Sequence, residues 1–524
     1  MQYDYSRNKT ENPDPIKAEI KGTLPDWLQG TLVRNGPGMF SVGETSYNHW
    51  FDGMALLHSF TIKDGDVFFR SRYLRGDTYK SNMEAKRIVV SEMGTMAYPD
   101  PSNSLISKAI KFLSHTVPDF TDNCGNNIIK YGDDFYATSE TNYIRKIDPE
   151  TLETQDKVDY LKYIAVNLVT SHPHYDKDGS TYNMGTTIAE KGKTRYTIFR
   201  VPPAEEDSDK KKPVLKSLEV ICSVPCRSLL SPSYYHSFGI TDNYIIFLEQ
   251  PLKLDILKMA TAYMRGVNWA SCLNFQPEDN TQIHLIDRKT CKPVSTKFFT
   301  NALVVYHHVN AYEDDGHLVV DVIAYKDNSL YEMFYLASLQ PNSSSGEAKG
   351  KLTSKPNYER FVLPLQSDKE AEIGNDLVKL KSTSATALKE KEGKLFCFPE
   401  TLFKGAELPR INYNFNGKKH RYVYVTCVEQ SPVPLKIMKL DIETKQQLYW
   451  GEDDCWPSEP VFIPAPNAVE EDDGVVLTVV VRPYPEKSSF LLVLDARSFK
   501  EVARACVTAD LHIDMHGFFI PRRT

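Results

Sequence analysis

Short apolar runs, punctuated by Gly, Pro, Asn and Asp, recur along most of this chain. Segments 59-SFTIKDGDVFFRSRYL-74, 316-GHLVVDVIAY-325 and 474-GVVLTVVV-481 read as strands and hairpins, because each apolar stretch is bounded by turn-forming residues. A weak internal repeat links four of the turns: 147-IDPETLET-154, 286-IDRKTCKP-293, 440-LDIETKQQ-447 and 494-LDARSFKE-501. Each sets an apolar residue before Asp, then two variable residues, then Thr or Ser and a second strand. An Asp at the start of a turn accepts hydrogen bonds from the backbone amides ahead of it, which makes the repeat a hairpin device. The repeat starts lie 139, 154 and 54 residues apart, an irregular spacing that suits β-blades carrying insertions, so a β-propeller is the expected architecture. Asp-rich turns also occur in other large β proteins, and the repeat alone leaves that reading open.

Two stretches carry helical periodicity instead. In 103-NSLISKAIKFLSH-115, residues Leu105, Ile106, Ala109, Ile110, Phe112 and Leu113 share an arc opposite Ser107, Lys108 and Lys111. In 252-LKLDILKMATAYMRGVNW-269, residues Ile256, Leu257, Ala260, Tyr263, Met264 and Val267 share a face. Packing of these faces on the sheets is the plain expectation, and peripheral contact with a membrane is the alternative. The polar stretches 204-AEEDSDKKK-212 and 341-PNSSSGEAKGKLTSKPN-357 read as mobile insertions.

A hydrophobic content of 41% with 25% charged residues supports a large soluble core. The net charge of −7 and the lack of a long Lys/Arg block argue against nucleic acid as a partner. Nine cysteines at irregular spacing argue against a disulfide framework, and Cys222 with Cys226 lacks the second pair that a zinc site needs. The polar start MQYDYSRNKTENPD has no apolar signal core, and no apolar run reaches 18 residues, so a cytosolic protein is expected. Oligomeric state is left open.

Four histidines stand in distinctive surroundings: His172 in SHPHYD, His236 in SPSYYHSFG, His307 in VVYHHVNAYEDDG and His516 in DMHGFF. Neutral imidazoles suit Fe, Zn, Cu and Ni. Taken singly, each histidine is more often structural than a ligand. A propeller axis is one place where residues so far apart in sequence could meet.

Further motifs narrow the choice. The segments 33-VRNGPG-38, 49-HWFDGMALLH-58, 138-TSETNY-143, 170-TSHPHYD-176, 307-HHVNAYEDDG-316, 457-PSEPVF-462, 471-EDDGVVL-477 and 516-HGFF-519 together resemble the carotenoid cleavage oxygenase family. The resemblance implies an all-β fold spanning 1–524 as one domain: a seven-bladed β-propeller with a small helical cap, near 103–120 and 252–275, over an axial iron site. It implies Fe(2+) as cofactor, held by His172, His236, His307 and His516, with His308 structural and His174 and His512 as bystanders. It also implies that Glu140, Glu407 and Glu459 accept from the second ring nitrogen of three of the four, leaving His172 without a carboxylate. Such partners fix the imidazole tautomer and raise its basicity.

The expected activity is cleavage of the central 15,15′ double bond of β-carotene by O2, giving two retinal molecules. Eccentric 9′,10′ cleavage, retinyl-ester isomerohydrolysis and non-catalytic carotenoid binding are the alternatives. A polyene needs an apolar tunnel, whose aromatic walls can also stabilise a cation. Tyr234, Tyr235, Trp456, Phe51 and Tyr325 are the expected substrate contacts.

Overall fold

A computed structural model of the chain describes residues 3–98, 120–190, 193–206, 212–340, 352–366 and 368–523. The expected cap segment at 103–115 lies outside the described residues, as do much of 204–212 and 341–357.

Six sheets of four or more strands are antiparallel throughout and form the regular blades of a propeller. The first combines Ile16–Lys17, Asp66–Tyr73, Met54–Lys63 and Gly30–Met39 with the strand His516–Pro521 from the far end of the chain, so that Asn35 faces His516. The second comprises Asn127–Tyr131, Asp134–Thr138, Tyr143–Ile147 and Thr154–Asp159. The third is built on Leu168–Val169, Thr181–Glu190, Lys193–Val201 and Glu219–Pro225. Val304–Asp314, His317–Tyr325, Asn357–Pro364 and Glu400–Lys404 make the fourth, and Ala406–Arg410, Tyr422–Cys427, Lys436–Asp441 and Gln447–Trp450 the fifth. The sixth contains Trp456–Pro457, Gly474–Val481, Ser489–Asp495 and Glu501–Val507, and takes Glu19–Gly22 as its edge strand.

The expected seven-bladed ring is corrected here. Between the third and fourth blades stands a seven-stranded mixed sheet, running from Gly239–Ile240 through Tyr244–Glu249, Thr281–Asp287 and Lys297–Thr300. Its strand Lys297–Thr300 pairs in parallel with Lys394–Phe398, the second strand of a hairpin inserted within the fourth blade. The propeller thus has six regular antiparallel blades and one composite sheet. The long-range parallel pair is the physical reason, and no local sequence pattern announces it.

The near-continuous apolar run 474-GVVLTVVV-481 follows from burial on both sheet faces. Leu477, Val479 and Val481 pack with Leu32, Phe60 and Phe69 of the first blade. Val476 and Val480 face the other way, onto Tyr424, Ile437 and Trp450 of the fifth. Burying each such side chain contributes about 1.5–3 kcal/mol.

All four Asp repeats are hairpin devices of one kind. Asp148, Asp287 and Asp441 each accept from two amides ahead through Oδ1, and Asp495 accepts from Ser498 N at 2.9 Å through Oδ2. The residue four beyond each Asp, namely Leu152, Cys291, Lys445 and Phe499, has a left-handed φ of 56–63° and donates its amide to the Asp carbonyl at 2.7–2.8 Å.

Among the described residues, helices are few and short. In Ile256–Arg265 the buried stripe is Ile256, Met259 and Ala262, whereas Leu257 and Met264 are about 60% exposed. The expected buried face is therefore corrected, because tertiary packing selects the neighbouring stripe. Among the described residues, no helix is long and apolar enough to cross a membrane.

Candidate metal centre

Each of the four singled-out histidines sits at or beside a strand, and each belongs to a different sheet. His172 lies in the turn between Leu168–Val169 and His174–Tyr175, His236 just precedes Gly239–Ile240, His307 is inside Val304–Asp314, and His516 opens His516–Pro521. The register of Val304–Asp314 shifts between Val305 and His308, a bulge that re-aims His307. Beside His516, Gly517 has no room for a side chain: a Cβ would meet Val33 O at 2.2 Å.

One imidazole nitrogen from each of the four lies within 4.8 Å of those from the others. His172 Nε2 and His236 Nε2 are 3.1 Å apart, and five of the ring-centroid separations within the cluster run from 4.5 to 5.1 Å. The Nε2 atoms of His307 and His516 are buried without a hydrogen-bond partner. Buried polar groups without partners are costly, and a cation at the convergence would satisfy them. Burial pushes His516 down to about 4 against the pull of Glu459, and burial with the neighbouring imidazoles pushes His172 far down. Neutral imidazole is the ligating form. The cluster can hold a metal ion.

The expected carboxylates stand behind three of the four. Glu140 Oε1 is 2.5 Å from His236 Nδ1, Glu407 Oε1 is 2.6 Å from His307 Nδ1, and Glu459 Oε2 is 2.6 Å from His516 Nδ1. A second bulge, between Glu407 and Arg410, includes Leu408 at φ 45°, whose amide donates to Glu407 Oε1 at 2.9 Å. Burial opposes ionisation of Glu459, yet His516, Arg410 and Arg34 outweigh it and hold the carboxyl at about 2. Among the described hydrogen bonds, His172 has no carboxylate partner. Its amide donates to Thr170 Oγ1, which in turn donates to Asn183 Oδ1 at 2.7 Å.

The bystander histidines are otherwise engaged. His174 Nε2 is 2.7 Å from Phe238 O, and His512 pairs with His58. His308 lies outside the cluster.

His236 and His307 open onto a cavity of about 300 Å³ with a largely apolar lining. Tyr234, Tyr235 and Phe51 line it, and Phe51 stacks on Phe334 at 4.7 Å. Tyr325 and Trp456 do not: Tyr325 is buried behind Glu407, and Trp456 packs edge-on against Tyr3 at 5.6 Å. Lining residues that sequence reasoning missed include Met93, Leu254, Met259, Trp269, Tyr306 and Met515. Met259 carried a signal in the helix period; the others are aromatic or apolar residues without a motif of their own.

Asp52 and Glu92, both buried, are among the carboxyls that line the cavity. Asp52 accepts from Thr95 Oγ1 at 2.7 Å and Gly94 N at 3.2 Å, and Glu92 accepts from Thr121 Oγ1 at 2.8 Å. Burial pushes Asp52 up to about 7, and burial together with Asp52 pushes Glu92 well above the carboxylate range. The fold therefore keeps protons here that the unfolded chain releases near pH 4, so the pair's stability contribution is intact below that pH and falls as pH rises toward 7. About 3 pH units at roughly 1.4 kcal/mol each set the scale at a few kcal/mol. Asp52→Asn should flatten this part of the melting-temperature profile between pH 4 and 7; an unchanged slope refutes the account.

A propeller that gathers four imidazoles from four different sheets, three of them backed by buried or half-buried carboxylates, defines a class of protein whose site can hold a metal ion. The chain belongs to the retinal pigment epithelial membrane protein family, whose model matches residues 5–521. This bears out the resemblance read from the motifs. It is 64% identical to β,β-carotene 15,15′-dioxygenase of Gallus gallus, covering 100% of this chain and 98% of that one. The Homo sapiens protein of the same name is 61% identical, with 99% and 95% covered. The mitochondrial carotenoid-cleaving dioxygenase of Homo sapiens is 41% identical, with 98% and 89% covered. A solved variant of Synechocystis apocarotenoid oxygenase shares the fold at a TM-score of 0.73 and 20% identity, with 99% and 98% covered. A cobalt-substituted form of the Synechocystis protein gives 0.74 and 21%, with the same coverage.

Proposed function

We propose that this chain is a non-haem Fe(II) dioxygenase that cleaves the central 15,15′ double bond of β-carotene with O2 to give two molecules of retinal. The observation that carries the reading is the convergence of four imidazoles, two of which line an apolar cavity. The names of relatives 61–64% identical over the full chain support the choice of bond. His172, His236, His307 and His516 would hold the ion, with Glu140, Glu407 and Glu459 fixing three of the rings. Bound Fe(II) supplies the activation of dioxygen. Phe51, Leu254, Met259 and Trp269 present an apolar surface that takes up a polyene and excludes water. In the overall reaction one C=C bond and one O=O bond break and two C=O bonds form, so each aldehyde carries one oxygen atom from O2. Turnover under 18O2 should give retinal with one labelled oxygen in each half, after correction for aldehyde exchange with water. A long apocarotenal as the product overturns the assignment of the bond, and unlabelled retinal overturns dioxygenation.

The substrate's insolubility favours uptake from a lipid surface. Leu257 and Met264 are on the exposed side of Ile256–Arg265, and Leu230, about half exposed like Leu229, accepts from Ile256 N at the start of the helix. On the reverse side of this helix Met259 lines the cavity. This arrangement supports peripheral membrane contact through a helix that also lines the cavity. Leu257→Glu with Met264→Glu should reduce cosedimentation with phospholipid vesicles and spare activity on detergent-solubilised substrate; unchanged cosedimentation counts against this face. Nine free cysteines, most of them buried, support a cytosolic location.

A further inference from the structure

The three carboxylates behind the histidines differ in what holds their other oxygen. Glu459 Oε1 takes Arg410 Nη1 at 2.7 Å and lies 3.5 Å from Arg34 Nη1. Glu407 Oε2 takes the Tyr325 hydroxyl at 2.5 Å. Glu140 takes the Tyr234 hydroxyl on both oxygens, at 2.7 Å to Oε2 and 3.0 Å to Oε1. Glu140 is also the least enclosed, with 29% of its side chain exposed against 7% for Glu407 and 3% for Glu459. Its exposed part faces the apolar cavity, where an unbonded carboxylate oxygen is costly.

We propose that Tyr234 is a positioning residue that acts on the metal centre through its hydroxyl and Glu140, with Tyr325 doing the same through Glu407. A hydrogen bond from a phenol to a carboxylate is charge-assisted and directional. It pins the free oxygen, so the other oxygen stays on the imidazole Nδ1 and keeps Nε2 aimed at the convergence. Two observations set this apart from a role as an aromatic wall. Tyr325 is fully buried and does not reach the cavity, so a polyene cannot touch it, yet its hydroxyl makes the same bond. The two tyrosines also come from unrelated settings, one in the segment before Gly239–Ile240 and one ending His317–Tyr325, so neighbouring strands do not impose the shared geometry.

The inference rests on the proposed metal-dependent function, and the test separates the two. Wild type, Tyr234→Phe and Tyr325→Phe are loaded with Fe(II), and separately with Co(II), then mixed with excess chelator while the retained metal is followed. Wild type that takes up no metal refutes the metal-dependent reading itself. The Phe variants keep the ring and lose only the hydroxyl, and are expected to release metal about tenfold faster or more, within the range that outer partners of metal-bound histidines command. The visible spectrum of the Co(II) form should shift, and the faster release should appear at temperatures where the metal-free variants are still folded, since each also loses stability from the orphaned carboxylate oxygen. Glu140→Gln should cause a similar loss, and adding Tyr234→Phe to it should cost little more. Metal release at the wild-type rate in both Phe variants overturns the proposal. A raised KM for carotenoid in Tyr234→Phe with metal retention intact also overturns it, and returns Tyr234 to the substrate wall.

Discussion

Replacing His307 by Ala should yield a folded protein that retains almost no metal and forms no measurable aldehyde, whereas His308→Ala should retain both. The two residues are adjacent, which makes the contrast a stringent check on the ligand set. His307 Nδ1 is anchored by Glu407 at 2.6 Å, and its buried Nε2 has no other partner. The bulge before His308 turns His307 into the cluster and leaves its neighbour outside. Loss of an outer partner of a ligand typically costs 10–100-fold in metal affinity or activity. Loss of a ligand itself should exceed about 100-fold in both. Metal content by atomic emission and product by chromatography read the two effects separately. Normal metal content in His307→Ala, or its loss in His308→Ala, would reverse the assignment within the pair.

The site was more legible in the sequence than the ring that carries it. The Asp turns announced themselves because a side chain acting on its own backbone is a local event, and all four are formed as expected. The four histidines and three glutamates stood out through the motifs around them, and the fold brings all seven together. What was missed depends on distant partners. The parallel pairing of Lys297–Thr300 with Lys394–Phe398 links strands almost a hundred residues apart and converts what would be a seventh regular blade into a mixed sheet. Leu257 looked like a buried position because the helix period is the same on either side of the packed stripe; only the sheet beneath decides. Trp456 immediately precedes a site motif and Tyr325 ends the strand that follows another, but blade packing turns both rings away from the cavity.

Arg34→Met should be among the most destabilising single substitutions in the molecule, at roughly 3–5 kcal/mol, the cost of breaking a buried ion pair from one side. Arg34 and Asp514 are 0% and 1% exposed in their side chains and meet at 2.5 Å. The same guanidinium donates to Glu459 O at 3.2 Å, and His58 Nε2 lies 3.1 Å from the second oxygen of Asp514. Burial opposes the charge on Asp514, and Arg34 with His58 overcomes it and holds the carboxyl far below its usual range. Without Arg34 the burial penalty remains and its compensation is gone, a large fraction of a total stability of about 5–15 kcal/mol. Denaturant-induced unfolding of the metal-free protein measures the loss. Arg34→Lys should recover only part of it, since a single ammonium cannot reproduce the guanidinium fork. Arg34→Met combined with Asp514→Leu should be more stable than Arg34→Met alone, because the orphaned carboxylate goes too; equal stability would show that lost packing and not lost charge compensation is the cause. The effect should reach the metal as well. Asn35, next to Arg34, pairs with His516 across the sheet, and Glu459 bonds both Arg34 and His516. Loosening the guanidinium therefore loosens two of the constraints that aim His516, so metal retention in Arg34→Met should fall under conditions where the protein is still folded.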